Sequence, residues 1–377
     1  MALIDFKVLP GIDKQDTTSG AENRWVDCDN TRFRYGLPEK VGGWSSLVTD
    51  TIVGVARRQF AFVDLDGNRY IAIGTDKFLL IYFEGQLYDI TPLKTTLSSC
   101  TIATTNNSAI CSITKASHGL SAGDIVLLDN VTLPVGTGYS NSDFEDKLFQ
   151  VTSITSSSVF TITQSSNATA TVSTGGSLEV KPYEQVGPAE QSYGYGWGID
   201  TWSSGAWGEA ASASDVSLEP GLWSLSNFGQ VLVATIANGK TFTWNAGIAA
   251  RLTTRASTTT SGFSTSANPT ATRVTLVSPT TRHLIHLGTE TTIGDTSTQD
   301  DMFIRFSDQE DINDYTPTAI NSAGSQRLQD GTKIMGSLKA KETILVWTDN
   351  ALYTMKFIGS PFTFGFEQVG TNCGLIG

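Results

Sequence analysis

The chain has 377 residues and carries 25 basic against 37 acidic side chains, a net charge of −12. A chain of that length holds a large core and two or more domains, and its acidity repels phosphate, which argues against sequence-reading of nucleic acid, a task that draws its affinity from Lys and Arg. Nothing approaches the roughly 18 consecutive apolar residues of a membrane span, and the start, MALIDFKVLPGIDKQD, lacks the basic and apolar regions of a signal peptide.

Helical periodicity is nearly absent, while Ser, Thr and Gly are abundant throughout, so the expected class is all-β. Residues 1–97 read as an amino-terminal arm followed by a first propeller-like blade. In the arm, Arg24, Arg32 and Arg34 alternate with Trp25, Phe33 and Tyr35, and the chain is expected to turn at Gly36-Leu37-Pro38. Nearby Asp27, Asp29 and Glu39 make ion pairs the first reading of this cluster, with a basic-aromatic patch for nucleic acid as the rival. Residues 70–83 (YIAIGTDKFLLIYF) then form two apolar runs about a Gly-Thr-Asp-Lys turn.

Composition shifts at residues 98–182, where short alternating strands separated by Ser and Gly turns predict a small β-barrel or β-sandwich inserted into the repeat. Residues 183–225 carry Glu184, Glu190, Asp200, Glu209, Asp215 and Glu219 with no base, a candidate acidic surface. The same stretch holds Tyr193, Tyr195, Trp197, Trp202 and Trp207 among glycines. This is read as a candidate subunit-contact loop, with glycan stacking or packing on its own domain as alternatives.

Residues 226–377 resume the blade pattern. Residues 231–244 (VLVATIANGKTFTW) turn at Asn238-Gly239, the HLIHL run from His283 leads to MFIRF ending at Phe306, and residues 341–357 (KETILVWTDNALYTMKF) turn at Asp349-Asn350. The last pair is expected to adopt the positive φ of a primed hairpin turn. Ile344 and Val346 on one face and Leu345 and Trp347 on the other predict a strand buried on both sides. The copies recur at a propeller-like period. The TNCGLIG ending supplies no closing strand, so the reading expects either a continuing chain or a partner over this end.

No catalytic constellation stands out. His118, His283 and His286 are the only histidines, and the latter two fall on opposite faces of a strand, unsuited to sharing a metal. The acidic run FSDQEDINDY, residues 306–315, lacks calcium-loop spacing and reads as a capped turn. A sialidase-type site needs an arginine cluster and a Tyr-Glu pair that the sequence does not place. Cys28, Cys100, Cys111 and Cys373 show no CxxC spacing and read as free thiols, with a Cys100 to Cys111 bridge as the alternative.

Four segments, RWVDCDNTRFRYGLPEKVGGW, YGYGWGIDTWSSGAWG, FSDQEDINDYTPTAINSAGSQRLQDG and VGTNCGLIG, resemble parts of short-tailed bacteriophage structural proteins of the tail nozzle, or tail tubular protein B, type, related in role to packaged-DNA stabilisation proteins. The resemblance implies a β-propeller with inserted domains, assembled as a hexameric ring below the adaptor of the portal. It would be a virion part, put together in the host bacterial cytoplasm, that retains packaged DNA and conducts it at ejection without sequence-specific binding. Its implied partners are further copies of itself, the tail adaptor and tail fibre or spike proteins, with no cofactor and no enzymatic activity. An acidic wall would let the duplex slide. A glycan-binding propeller acting as a receptor-binding tail component is the alternative.

Overall fold

The computed structural model describes residues 8–48, 50–190, 219–258 and 267–375, and every described element of regular length is a strand. The chain divides into two compact units, Met1–Thr49 and Asp50–Gly377. In the first, β1 (Leu9–Ile12) pairs in parallel with β2 (Arg24–Trp25), and β3 (Thr31–Arg34) forms a hairpin with β4 (Leu37–Lys40). The turn falls at Tyr35 and Gly36, both at positive φ (52° and 82°), one position earlier than the Gly-Leu-Pro string suggests. Arg32 faces Glu39 across the hairpin and binds its carboxylate at 3.2 Å, while Arg24 reaches Asp13 at 3.6 Å. Arg24 and Arg32 are thus engaged in ion pairs, while Arg34 lies over the Tyr35 ring, 5.4 Å from its centre.

In the second unit, β5 (Ala56–Val63), β6 (Arg69–Thr75), β7 (Leu79–Phe83) and β8 (Gln86–Asp89) form a four-stranded antiparallel meander, the first blade. The chain then builds a closed six-stranded barrel from β9 (Leu97–Thr104), β10 (Ile110–Thr114), β11 (Ile125–Thr132), β12 (Lys147–Ser156), β13 (Val159–Thr163) and β14 (Val172–Pro182). Its core, with Cys100, Ile113, Leu128, Phe144, Phe160 and Val180, is separate from those of the blades. Cys100 and Cys111 are buried there as free thiols.

Beyond the barrel the meanders resume. The second blade is β15 (Trp223–Phe228), β16 (Val231–Ile236) and β17 (Thr241–Asn245); the third is β18 (Thr272–Val277), β19 (Leu284–Thr289), β20 (Phe303–Phe306) and β21 (Gly324–Arg327). The fourth is β22 (Ile334–Lys339), β23 (Thr343–Thr348), β24 (Ala351–Gly359) and β25 (Thr363–Thr371). Cores lie between successive sheets. Tyr70, Leu79 and Ile81 meet Trp223, Leu232 and Trp244 between the first and second blades, Val233 meets Val277 and Leu284 between the second and third, and Leu287 and Ile304 meet Ile344 and Val346 between the third and fourth. The fold is a propeller-like array of antiparallel sheets interrupted by a barrel.

The first strand of each blade lies against the first strand of the next. The Trp223 indole N–H donates to the Thr75 carbonyl at 2.9 Å, and Gly74 leaves the room this needs, since a Cβ there would stand 2.6 Å from the Trp223 ring. Ser224 Oγ accepts the Thr275 N–H at 3.0 Å, and the Arg273 Nε–H donates to the Ile334 carbonyl at 3.1 Å. These bonds run from blade to blade along one axis.

A Thr-acid pair closes the second strand of three blades. Thr75 Oγ accepts the N–H groups of Lys77 and Phe78, and Thr348 Oγ those of Asn350 and Ala351. The following acid pins the backbone just ahead of its own blade: Asp76 accepts Val55 N–H at 2.6 Å, Glu290 accepts Thr270 N–H at 3.1 Å, and Asp349 accepts Thr332 N–H at 2.7 Å. The threonine hydroxyl therefore makes the turn, and neither Asp349 nor Asn350 takes the positive φ expected of them. Asp76→Ala is expected to lower stability by about 1–3 kcal/mol, because a buried charge-assisted bond is lost. Urea unfolding of Asp76→Ala beside the exposed control Asp66→Ala measures it.

Candidate functional site

The four first strands surround a cavity of about 450 Å³ lined by Arg57 and Arg58 of β5, Ser224 and Ser226 of β15, Arg273 and Thr275 of β18, and Ser337 and Lys339 of β22. Among the described residues, Glu219 is the acid in its wall. Strand alternation explains the convergence: each first strand turns one face toward the axis, so cations more than 200 positions apart in sequence meet where the blades meet.

Two of these cations are occupied. The Arg273 Nη2 group binds Glu219 at 2.8 Å and Nη1 approaches Asp301 at 3.5 Å, while Lys333 reaches the other Glu219 oxygen at 2.6 Å. Burial alone would raise the Glu219 carboxyl, but Lys333 and Arg273 outweigh it and hold it below the ordinary carboxylate range. At Asp301 burial prevails over Arg273 and pushes the carboxyl up. The Arg57 guanidinium donates to the carbonyls of Gly221 at 2.7 Å, Pro188 at 3.4 Å and Ala189. That clamp draws together the chain on either side of residues 191–218, and Gly221 N–H donates to Pro188 O at 2.9 Å. Glycine is required at this neck, where a Cβ on Gly187 would lie 2.7 Å from Gly221 Cα and the φ of Gly187 is +133°.

Arg58 and Lys339 are different. Lys339 Nζ donates to Ser226 Oγ at 3.1 Å and stands 5.8 Å from the centre of the Phe60 ring. Burial, then the neighbouring Arg58, pulls its pKa below the ordinary lysine value. No carboxylate among the described residues pairs with either side chain within 4.0 Å.

The wall at the blade axis is cationic, and Glu219 is paired there with two bases. Glu184 is likewise near Lys240, at 3.5 Å, and Glu190 is exposed. Asp200, Glu209 and Asp215, with Tyr193, Tyr195, Trp197, Trp202 and Trp207, lie outside the described residues. Three arginines gather at this wall, and among the described residues it contains neither tyrosine nor histidine.

The remaining candidates are internally satisfied. His283 contacts the hydroxyls of Thr281 and Ser322 at 2.7 and 3.0 Å, and His286 that of Tyr315 at 2.9 Å, on opposite sides of β19. In the acidic run, Asp308 accepts the N–H groups of Gln309 and Ser322, both at 2.8 Å, and Asp314 accepts Thr316 N–H at 3.1 Å, the bonds of a capped turn. On the barrel, carboxylate oxygens of Asp129, Glu145 and Asp146 lie within 4.8 Å of one another, a grouping that their spacing in sequence hides. Lys181 already binds Asp129, and Glu145 accepts Val131 N–H at 2.7 Å.

No family model and no curated protein matches this chain. Among solved structures it is similar to the Phage phi92 endosialidase, with a TM-score of 0.24 and 14% identity over 81% of this chain and 48% of that one. The chain therefore spans about half the length of that structure.

Proposed function

We propose that the protein is a structural component of a phage tail, mechanical rather than catalytic, in which several copies form a ring that continues the DNA path below the portal and adaptor. The observation that carries the reading is the state of the two ends of the blade array. On the fourth blade, Ile344, Val346, Tyr353 and Met355 face the third blade, and the opposite face presents Leu338, Leu345, Trp347 and Leu352, with Leu338 at 58% exposure. On the first blade, Ile71, Ile73, Leu80 and Tyr82 lie on the face turned away from the second and are only half-buried. Both terminal faces are sheet surfaces of the kind that the interior blades bury.

Two unlike faces of one chain associate head to tail, and such contacts close into a ring when the rotation between copies divides a full turn. A ring of chains each carrying −12 presents like charge to a duplex, so DNA is conducted without being held. The DNA path runs between copies, since the axial cavity of each chain has the volume of a small-ligand site. Leu338→Lys combined with Leu352→Lys is expected to weaken self-association at least about tenfold, the equivalent of about 1.4 kcal/mol, with unchanged far-ultraviolet circular dichroism. Sedimentation velocity reads the result; a wild-type protein that stays monomeric at all concentrations contradicts the reading.

A further inference from the structure

We propose that the axial cavity is a binding site for a small oxyanion, a phosphate or carboxylate group, held by Arg58, Lys339 and the Ser226 hydroxyl. The inference is independent of ring formation, because all three groups belong to one chain. Its first support is electrostatic. In a chain with twelve excess negative charges, the wall of this cavity carries Arg57, Arg58, Arg273 and Lys339 against Glu219. Arg273 is taken by Glu219 and Asp301, and Arg57 by backbone carbonyls. Arg58 and Lys339, from the first and fourth blades, are left facing the same space with no counter-charge among the described residues. Two like charges held side by side are unfavourable unless an anion joins them.

The second support is a buried proton without an acceptor. Ser226 is 1% exposed and lines the cavity. Its Oγ accepts the Val277 N–H at 3.1 Å and the Lys339 ammonium at 3.1 Å, which uses both lone pairs. The hydroxyl hydrogen then has no acceptor among the described residues. An oxyanion oxygen supplies one, and at the same place it meets Lys339 and Arg58 as charge-assisted donors. The Phe60 ring beneath the ammonium fixes the lysine over the cavity. Among the described residues the wall offers no tyrosine, histidine or unpaired acid.

The test is thermal unfolding of the whole chain while chloride is replaced by inorganic phosphate at constant ionic strength, with acetate as a parallel series. Wild type is expected to show a saturable rise of several degrees in Tm in at least one series, and the series that produces it identifies the oxyanion. Lys339→Gln and Arg58→Gln are each expected to weaken that saturation at least about tenfold. Without added oxyanion, Lys339→Gln is expected to melt no lower than wild type, since the substitution relieves the repulsion by Arg58. Should Lys339→Gln fail to fold, Arg58→Gln, an exposed position, decides alone. No saturable rise in either series, or a rise of equal size and midpoint in wild type and variants, overturns the proposal.

Discussion

Trp244→Ala is expected to destabilise the blade array by about 3–5 kcal/mol, enough to lower sharply the fraction folded at physiological temperature. The ring is fully buried between the first two blades, packed edge-on against Tyr70 at 5.6 Å and Phe62 at 6.4 Å. Its indole N–H donates to the carbonyls of Arg251 and Thr254 at 3.0 and 3.1 Å. Alanine removes the ring and leaves both carbonyls without this donor, so a cavity and an unsatisfied pair arise together. Trp244→Phe separates the two, because it restores most of the volume and none of the hydrogen bonding. The barrel has its own core and is expected to keep its unfolding transition in both variants. A loss below about 1 kcal/mol for Trp244→Ala would show that the seam between the two blades is not packed as described.

The second large effect is on acid stability. His283 and His286 are both fully buried. Burial pushes His283 down to about 4, with Asp308 offsetting part of the shift, and pushes His286 down to about 3, with Arg305 adding to it. An unfolded chain takes the proton near the ordinary value of about 6.5. Because the folded values lie lower, the neutral rings contribute fully above about pH 6.5, and the contribution falls as pH drops toward about 4 and about 3. At pH 5 the expected loss is roughly 2 kcal/mol for each ring, about 4 together. Carboxylates held low in the fold, such as Asp64 and Asp308, add their own loss only nearer pH 4, and the raised Asp301 acts in the opposite sense, so the histidine variants are what assign the slope between pH 6.5 and 5. Urea titrations across that interval measure the slope. His286→Gln and His283→Gln are each expected to flatten it by about one proton, and an unaltered slope in both would contradict the burial.

Residues 341–357 show what was legible in the sequence. Two β-rich runs about a two-residue connection predict a hairpin, and β23 and β24 occupy those runs. The turn chemistry was not legible, because the choice between a primed turn and a threonine-centred one is made by Asp349, whose carboxylate bonds Thr332, seventeen positions away. Two-sided burial of β23 was overstated. Ile344 and Val346 are buried, while Leu345 and Trp347 are half-buried on the end face, and only the placement of the neighbouring sheets decides this. In the barrel, β9 and β14 contain Ser-Ser and Gly-Gly interruptions that dilute the alternating signal, and their pairing joins strands far apart in the chain. The cationic axis was invisible for a related reason. Arg58, Arg273 and Lys339 have no shared spacing, and each reads alone as an ordinary exposed base.

The ring itself is tested most directly by electron cryomicroscopy of virion tails, with the purified chain imaged beside them. The account predicts copies of this all-β chain arranged head to tail about the tail axis below the portal and adaptor, with the end faces of the first and fourth blades at the subunit seams. Tails that lack the protein, or a ring whose seams leave Leu338 and Trp347 in solvent, would contradict it.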